Sequence, residues 1–160
     1  MTPGLLSVML VQWLHVLAGI TWMGGNLVGG LLLPLALLQR PAVEGRATFE
    51  VFSKAMKRSM PIAGMSVFIL GILRGAWLGP IHSWGALFGS PYGHTWLTAL
   101  ILTLGIMVRS GMRYPRFLER LWDGDKVRAD AARFVTGGAL LDLTGFMLVL
   151  ACMVLMHFGL

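Results

Sequence analysis

Residues 5 to 38 read LLSVMLVQWLHVLAGITWMGGNLVGGLLLPLALL and contain no Asp, Glu, Lys or Arg. A bilayer core of about 30 Å is crossed by about 20 apolar residues in a helix, so this stretch exceeds one crossing. Pro34 is expected to kink it or to end its spanning part, because proline lacks an N–H and its ring meets the preceding turn. Thr2 and Pro3 stand where a cap and a first-turn residue belong. Working outward, three more stretches qualify as spans: about 61–79, about 91–108 with Ser90 as a candidate cap, and about 134–157. The expectation is an all-α fold, an integral membrane four-helix bundle forming a single domain over residues 1–160.

Composition agrees with this. Hydrophobic residues make up 56% of the chain and charged residues 12%, against about 25% charged in ordinary soluble domains. The expected solvent for most of the surface is lipid. The opening MTPGLLSVML has no basic leader and is read as mature protein, with the first helix as its own insertion signal. The single Cys152 leaves no intrachain disulfide and no zinc-type cysteine pair.

The cations set the expected orientation. Arg40, Arg46, Lys54, Lys57 and Arg58 lie between the first two spans, and Arg109, Arg113, Arg116, Arg120, Lys126, Arg128 and Arg133 between the last two. The segment from Pro80 to Pro91 and both tails are free of Lys and Arg. By the positive-inside rule the basic connections are cytoplasmic, with both termini and the 80–91 loop on the outer, periplasmic side. A bacterial cytoplasmic membrane is the expected location. The net charge of +6 is therefore a topology signal. No nucleic-acid partner is expected, since the cations border membrane spans and alternate with Glu119, Asp123, Asp125 and Asp130. Phe49, Phe52 and Met56 share a face between Arg46 and Lys57, which suits either a short amphipathic helix or a spanning helix continued past the headgroups.

Small residues recur at four-residue spacing: Gly25 and Gly29, then Gly71, Gly75 and Gly79, with Gly138 and Gly145 on the last span. Such spacing lets helices approach closely in lipid, and it also leaves room for a flat cofactor. Arg74 and Asp142 are the charges inside the spans, and ionisable groups there point to function by default. Either they pair, across a depth difference of roughly 8 Å at 1.5 Å per residue, or Arg74 holds an anionic group such as a propionate or phosphate.

All four histidines, His15, His82, His94 and His157, fall in the half of the topology opposite the basic connections. His15 shares a helical face with Gly19, Trp22 and Asn26, and His94 with Thr98 and Gly105. Imidazole is the commonest protein ligand of haem iron and copper. Counted from the basic ends, His15 lies nearer the outer surface than His94, so one haem held by both needs an offset between their helices.

The run WLHVLAGITWMGGNLV, with His15, Trp22, Gly24 and Gly25, resembles the LH-x6-W-x-GG pattern of CopD-like copper-resistance membrane proteins and of HemJ-type protoporphyrinogen oxidases. The segment YGHTWLTALILTLG also resembles the start of a later helix in CopD-like proteins. The resemblance to the HemJ type implies a b-type haem with His15 as ligand. Those enzymes carry a lysine near the place of Thr98; this chain does not, and porphyrinogen oxidation is not its first expectation.

The leading expectation is a small haem b membrane protein, acting in electron transfer or as a subunit of a respiratory or photosynthetic complex. His15 would be an axial ligand, His94 the second ligand or a neighbour, Arg74 a propionate partner, and Trp22 and Gly19 parts of the wall. No catalytic nucleophile is visible, and whether the chain is an enzyme stays open: haem-dependent oxidation of a porphyrin-like or quinone substrate would use the same site. A second expectation is copper handling at Cys152, Met153, Met156 and His157, where thioethers and imidazole suit Cu(I). A third is a structural subunit docking other membrane proteins or a second copy of itself.

Overall fold

Four helices in the computed structural model, which describes residues 4–159, are long and apolar enough to cross a membrane: α1 (Leu5–Leu37), α2 (Ala42–Trp77), α4 (Pro91–Leu121) and α5 (Ala131–His157). The short helix α3 (Trp84–Gly89) lies between α2 and α4. The chain is a multi-pass membrane protein with an all-α bundle. The expected cap and first-turn residues Thr2 and Pro3 lie outside the described residues.

Pro34 does not end the first helix. A π-turn over Val28–Leu32 precedes it, with the Leu33 N–H donating to the Val28 carbonyl five residues back. This wider turn accommodates the proline ring and the missing donor, so α1 runs on to Leu37.

The second helix begins nearly twenty residues before its expected start near Pro61. It starts directly after Pro41, with Glu44 in the first turn where an acid favours the helix dipole. Pro61 sits inside it on an exposed face. The basic segment is therefore spanning helix continued beyond the apolar run: Phe49 is fully buried, while Arg46 and Lys54 are exposed. Near its other end a second π-turn, Leu73–Trp77, carries Arg74.

Ser90 caps α4 as expected, its hydroxyl accepting from the Gly93 N–H at 3.0 Å. The helix continues past Val108 to Arg113, tightens to a 3-10 turn over Tyr114–Arg116 at Pro115, and reaches Leu121. A two-stranded hairpin, β1 (Trp122–Asp123) with β2 (Lys126–Val127), then reverses the chain; Gly124 at its tip takes a φ of 58° that disfavours a side chain.

Helices adjacent in the chain are adjacent in space, and α5 returns to α1, so the spans form a ring. The closest pairings are α1 with α2 and α4 with α5. One buried cluster sits at the basic end around Phe49, Phe117, Leu121 and Val135. A second occupies the middle around Trp22, Val67, Ile106 and Phe146. Large apolar side chains such as Leu10, Ile20, Ile62, Ile101 and Leu140 are exposed on the outside of the ring. That surface suits lipid.

Candidate functional site

Two open cavities of several hundred Å³ flank the middle cluster, one on each side of it. The cavity at the histidine end has a volume of about 510 Å³ and is walled by all four spans. From α1 come Gln12 and His15, from α2 Val67, Gly71 and Arg74, from α4 Tyr92, Trp96 and Thr103, and from α5 Met153, Met156 and His157.

His15 is 7% exposed, and its Nδ1 has no hydrogen-bond partner. The Val67 carbonyl on α2 is an acceptor near the ring, outside bonding geometry. Gly71 makes room for the imidazole, since a Cβ there would lie 3.3 Å from His15 Cε1. The Gly71 carbonyl in turn accepts from the Trp96 indole N–H at 3.1 Å. That indole lies directly over Gly75, where a Cβ would overlap the ring. Two glycines thus seat the two aromatic side chains of this wall. Arg74 is half-buried, and its Nε donates to Gln12 Oε1 at 3.1 Å. No acid neutralises it among the described residues.

Several expected site residues are elsewhere. His94 does not line the cavity: it is exposed, with Nε2 at 2.7 Å from the Phe88 carbonyl oxygen. The inward face of α4 is the one bearing Tyr92, Trp96, Ala99 and Thr103. His94, two residues from both Tyr92 and Trp96, is about 200° around the helix. Trp22 belongs to the floor, packed edge-on against Phe146 with ring centroids 4.9 Å apart, and it lines the other cavity. Gly19 lines neither. Cys152 is buried and away from the cavity, whereas Met153, Met156 and His157 border it. Among the described residues no three His, Cys, Asp or Glu side chains gather into a metal site.

The expected pair of Arg74 and Asp142 is not formed. Asp142 instead receives Arg109 Nη1 on one oxygen and Arg113 Nη1, at 2.8 Å, on the other. Arg109 and Arg113 are four residues apart and so share a face of α4. Ending that helix at Val108 hides them in a loop. Their i,i+4 spacing opposite a lone intramembrane Asp was the signal that could have found the pair.

The cavity at the basic end measures about 580 Å³ and lies between α1, α2 and α4. Its walls include Trp22, Met56, Met60 and Met107, with Asn26, Ser110, Tyr114 and Lys57 as polar members. No protein-family model, curated protein or solved structure matches the chain.

Proposed function

We propose that the chain is a b-haem-binding membrane protein that serves electron transfer, alone or as a subunit of a larger membrane complex, and that the cavity at the histidine end holds the cofactor. The observation carrying this reading is His15: a buried imidazole with an unpartnered nitrogen on the wall of a cavity of about 510 Å³. Such a volume falls within the range of about 300–1,000 Å³ common to small-molecule sites, and a buried polar atom left unpaired in a native fold calls for a reason. The residues present fit the group. His15 would hold the group through a ring nitrogen, and the Val67 carbonyl stands near the same ring as an acceptor of the kind ligating histidines commonly use. On α5, Met153, Met156 and His157 offer the second ligand in place of His94. Arg74, which donates to Gln12, would pair with a propionate by a charge-assisted bond. Haem b, when bound, supplies a one-electron couple.

The HemJ-type likeness of the His15 motif supports the same assignment, and the CopD-like likeness supports the copper reading given below. The distribution of Lys and Arg supports an orientation with the basic end in the cytoplasm and the histidine end, with both termini, outside. Copper handling is the second reading, favoured by the thioethers of Met153 and Met156 bordering one cavity with two imidazoles. Cys152 drops out of that set. Oxidised and reduced absorption spectra of protein purified from haem-sufficient cells test the first reading. A Soret band that disappears in His15→Ala is expected; its absence from wild type, with copper bound in its place, favours the second.

A further inference from the structure

The cavity at the basic end has a different chemistry. Three flexible thioether side chains, Met56, Met60 and Met107, and the Trp22 ring form its apolar body. Methionine surfaces of this kind adapt to ligands of irregular or variable shape. The Met60 thioether folds over Gly25, where any Cβ would displace it, so part of the wall is an unbranched side chain resting on open backbone.

Most of the polar side chains inside bond to backbone carbonyls of their own helix or to one another. Asn26 Nδ2 donates to the Trp22 carbonyl at 2.8 Å, Ser53 Oγ to the Glu50 carbonyl at 2.9 Å, and Ser110 Oγ reaches Asn26 Oδ1 at 3.4 Å. The Tyr114 hydroxyl has no partner but is enclosed against Gly29, 3.2 Å from where a Cβ would stand. That leaves Lys57. Its ammonium is exposed and makes no ion pair among the described residues, and no acidic residue lines the cavity. Glu50, one of the two acids on this helix, is taken by Arg46 at 3.2 Å. An unneutralised cation beside an apolar chamber is complementary to a molecule with an anionic head and an apolar body.

We infer that this cavity is a second binding site, for a single-chain amphiphile whose carboxylate or phosphate head pairs with Lys57 while its chain lies among the methionines. The inference stands apart from the haem assignment: it uses a separate cavity, and its test needs no cofactor.

Native mass spectrometry of the detergent-released protein, titrated with stearate, methyl stearate or a lysophosphatidic acid, reads the binding directly. One anionic amphiphile per chain is expected to bind, with methyl stearate at least about tenfold weaker, the factor that loss of one charge-assisted contact gives. Binding of both acids assigns the shared anionic head; binding of one alone fixes which head the site takes. Lys57→Gln should weaken the acids by a similar factor, and Lys57→Arg should keep them. Gly111 lines the cavity with open space over its Cα, so Gly111→Leu should fill the chamber and abolish binding. Gly105, equally open but outside the cavity, gives the control: Gly105→Leu should bind as wild type does. Equal binding of acid and ester, or unchanged binding in both Lys57→Gln and Gly111→Leu, overturns the inference.

Discussion

Arg113 Nη1 donates to Asp142 Oδ2 at 2.8 Å, and both side chains are nearly enclosed between α4 and α5. The same guanidinium reaches the Val135 carbonyl at 2.9 Å and lies over the Phe117 ring at 4.8 Å from its centroid. Arg109 takes the other carboxylate oxygen and the Gly138 carbonyl. Gly138 is where Arg113 fits, since any side chain there would occupy the guanidinium's space. The clamp joins two spans with one acid and two bases.

Removing the acid is therefore costly. Asp142→Asn is expected to lower stability by about 3 kcal/mol, because two partly buried guanidinium groups lose their counter-charge. Thermal unfolding in detergent measures it. Arg74→Gln, which touches Gln12 rather than Asp142, should change unfolding little, and its effect should simply add to that of Asp142→Asn in the double variant. Coupling between those two positions would contradict the observed pairing.

At the histidine end, His15→Ala is expected to remove or convert the low-spin b-type absorption of the reduced protein while helix content stays near wild type. His94→Ala should leave the spectrum unchanged, since that ring lies outside the cavity. Met153→Ala, Met156→Ala and His157→Ala then identify the opposite ligand: the one that converts the spectrum to high spin supplies it. A loss of absorption in His94→Ala comparable to that in His15→Ala would refute the assignment of the cavity face.

Gly75→Ala should disturb the Trp96 wall, because the new methyl meets the indole ring. A cost of about 1–3 kcal/mol is the usual result of overpacking, read as a lower unfolding temperature together with a shifted Trp emission. Gly105→Ala, with open space over it, is expected to be neutral or to stabilise by up to about 1 kcal/mol through helix propensity. Equal effects at the two glycines would argue against the close indole packing.

Orientation is open to direct measurement. After replacement of Cys152, a cysteine at Asp125 in the hairpin should be protected from an impermeant thiol reagent in intact cells, and one at Ser83 should label. The inverse pattern would place the histidine end in the cytoplasm.

The apolar runs made the four spans legible, and Ser90 followed by Pro91 marked the start of α4 correctly. What they concealed was length. Charged residues between Arg40 and Met60 resemble a loop by hydropathy, yet Arg, Lys, Glu, Ala and Met are good helix formers, and Phe49 repays the extension by burial. Pro61 resembles a start but is tolerated inside a helix whose neighbours fix it. Of the residues on the wall of the histidine-end cavity, His15 and Arg74 were legible because a polar group in an apolar run stands out. Trp96, Tyr92 and the clamp arginines did not stand out: aromatics are common in spans, and the arginines fell beyond an assumed helix end. His94 misled for a different reason. Periodicity groups residues on a face but does not say which face looks inward; here bulk and small-residue matching, Trp96 over Gly75, decided it.

The uneven closeness of the ring has a mechanical meaning. With α1 packed closely on α2 and α4 on α5, the looser seams of the ring are those between α2 and α4 and between α5 and α1. Both chambers have walls on the α2 and α4 sides of the first seam. A guest at either end therefore touches the same loosely packed boundary, and if its binding shifted that boundary, linkage would make the effect on the other chamber equal in both directions.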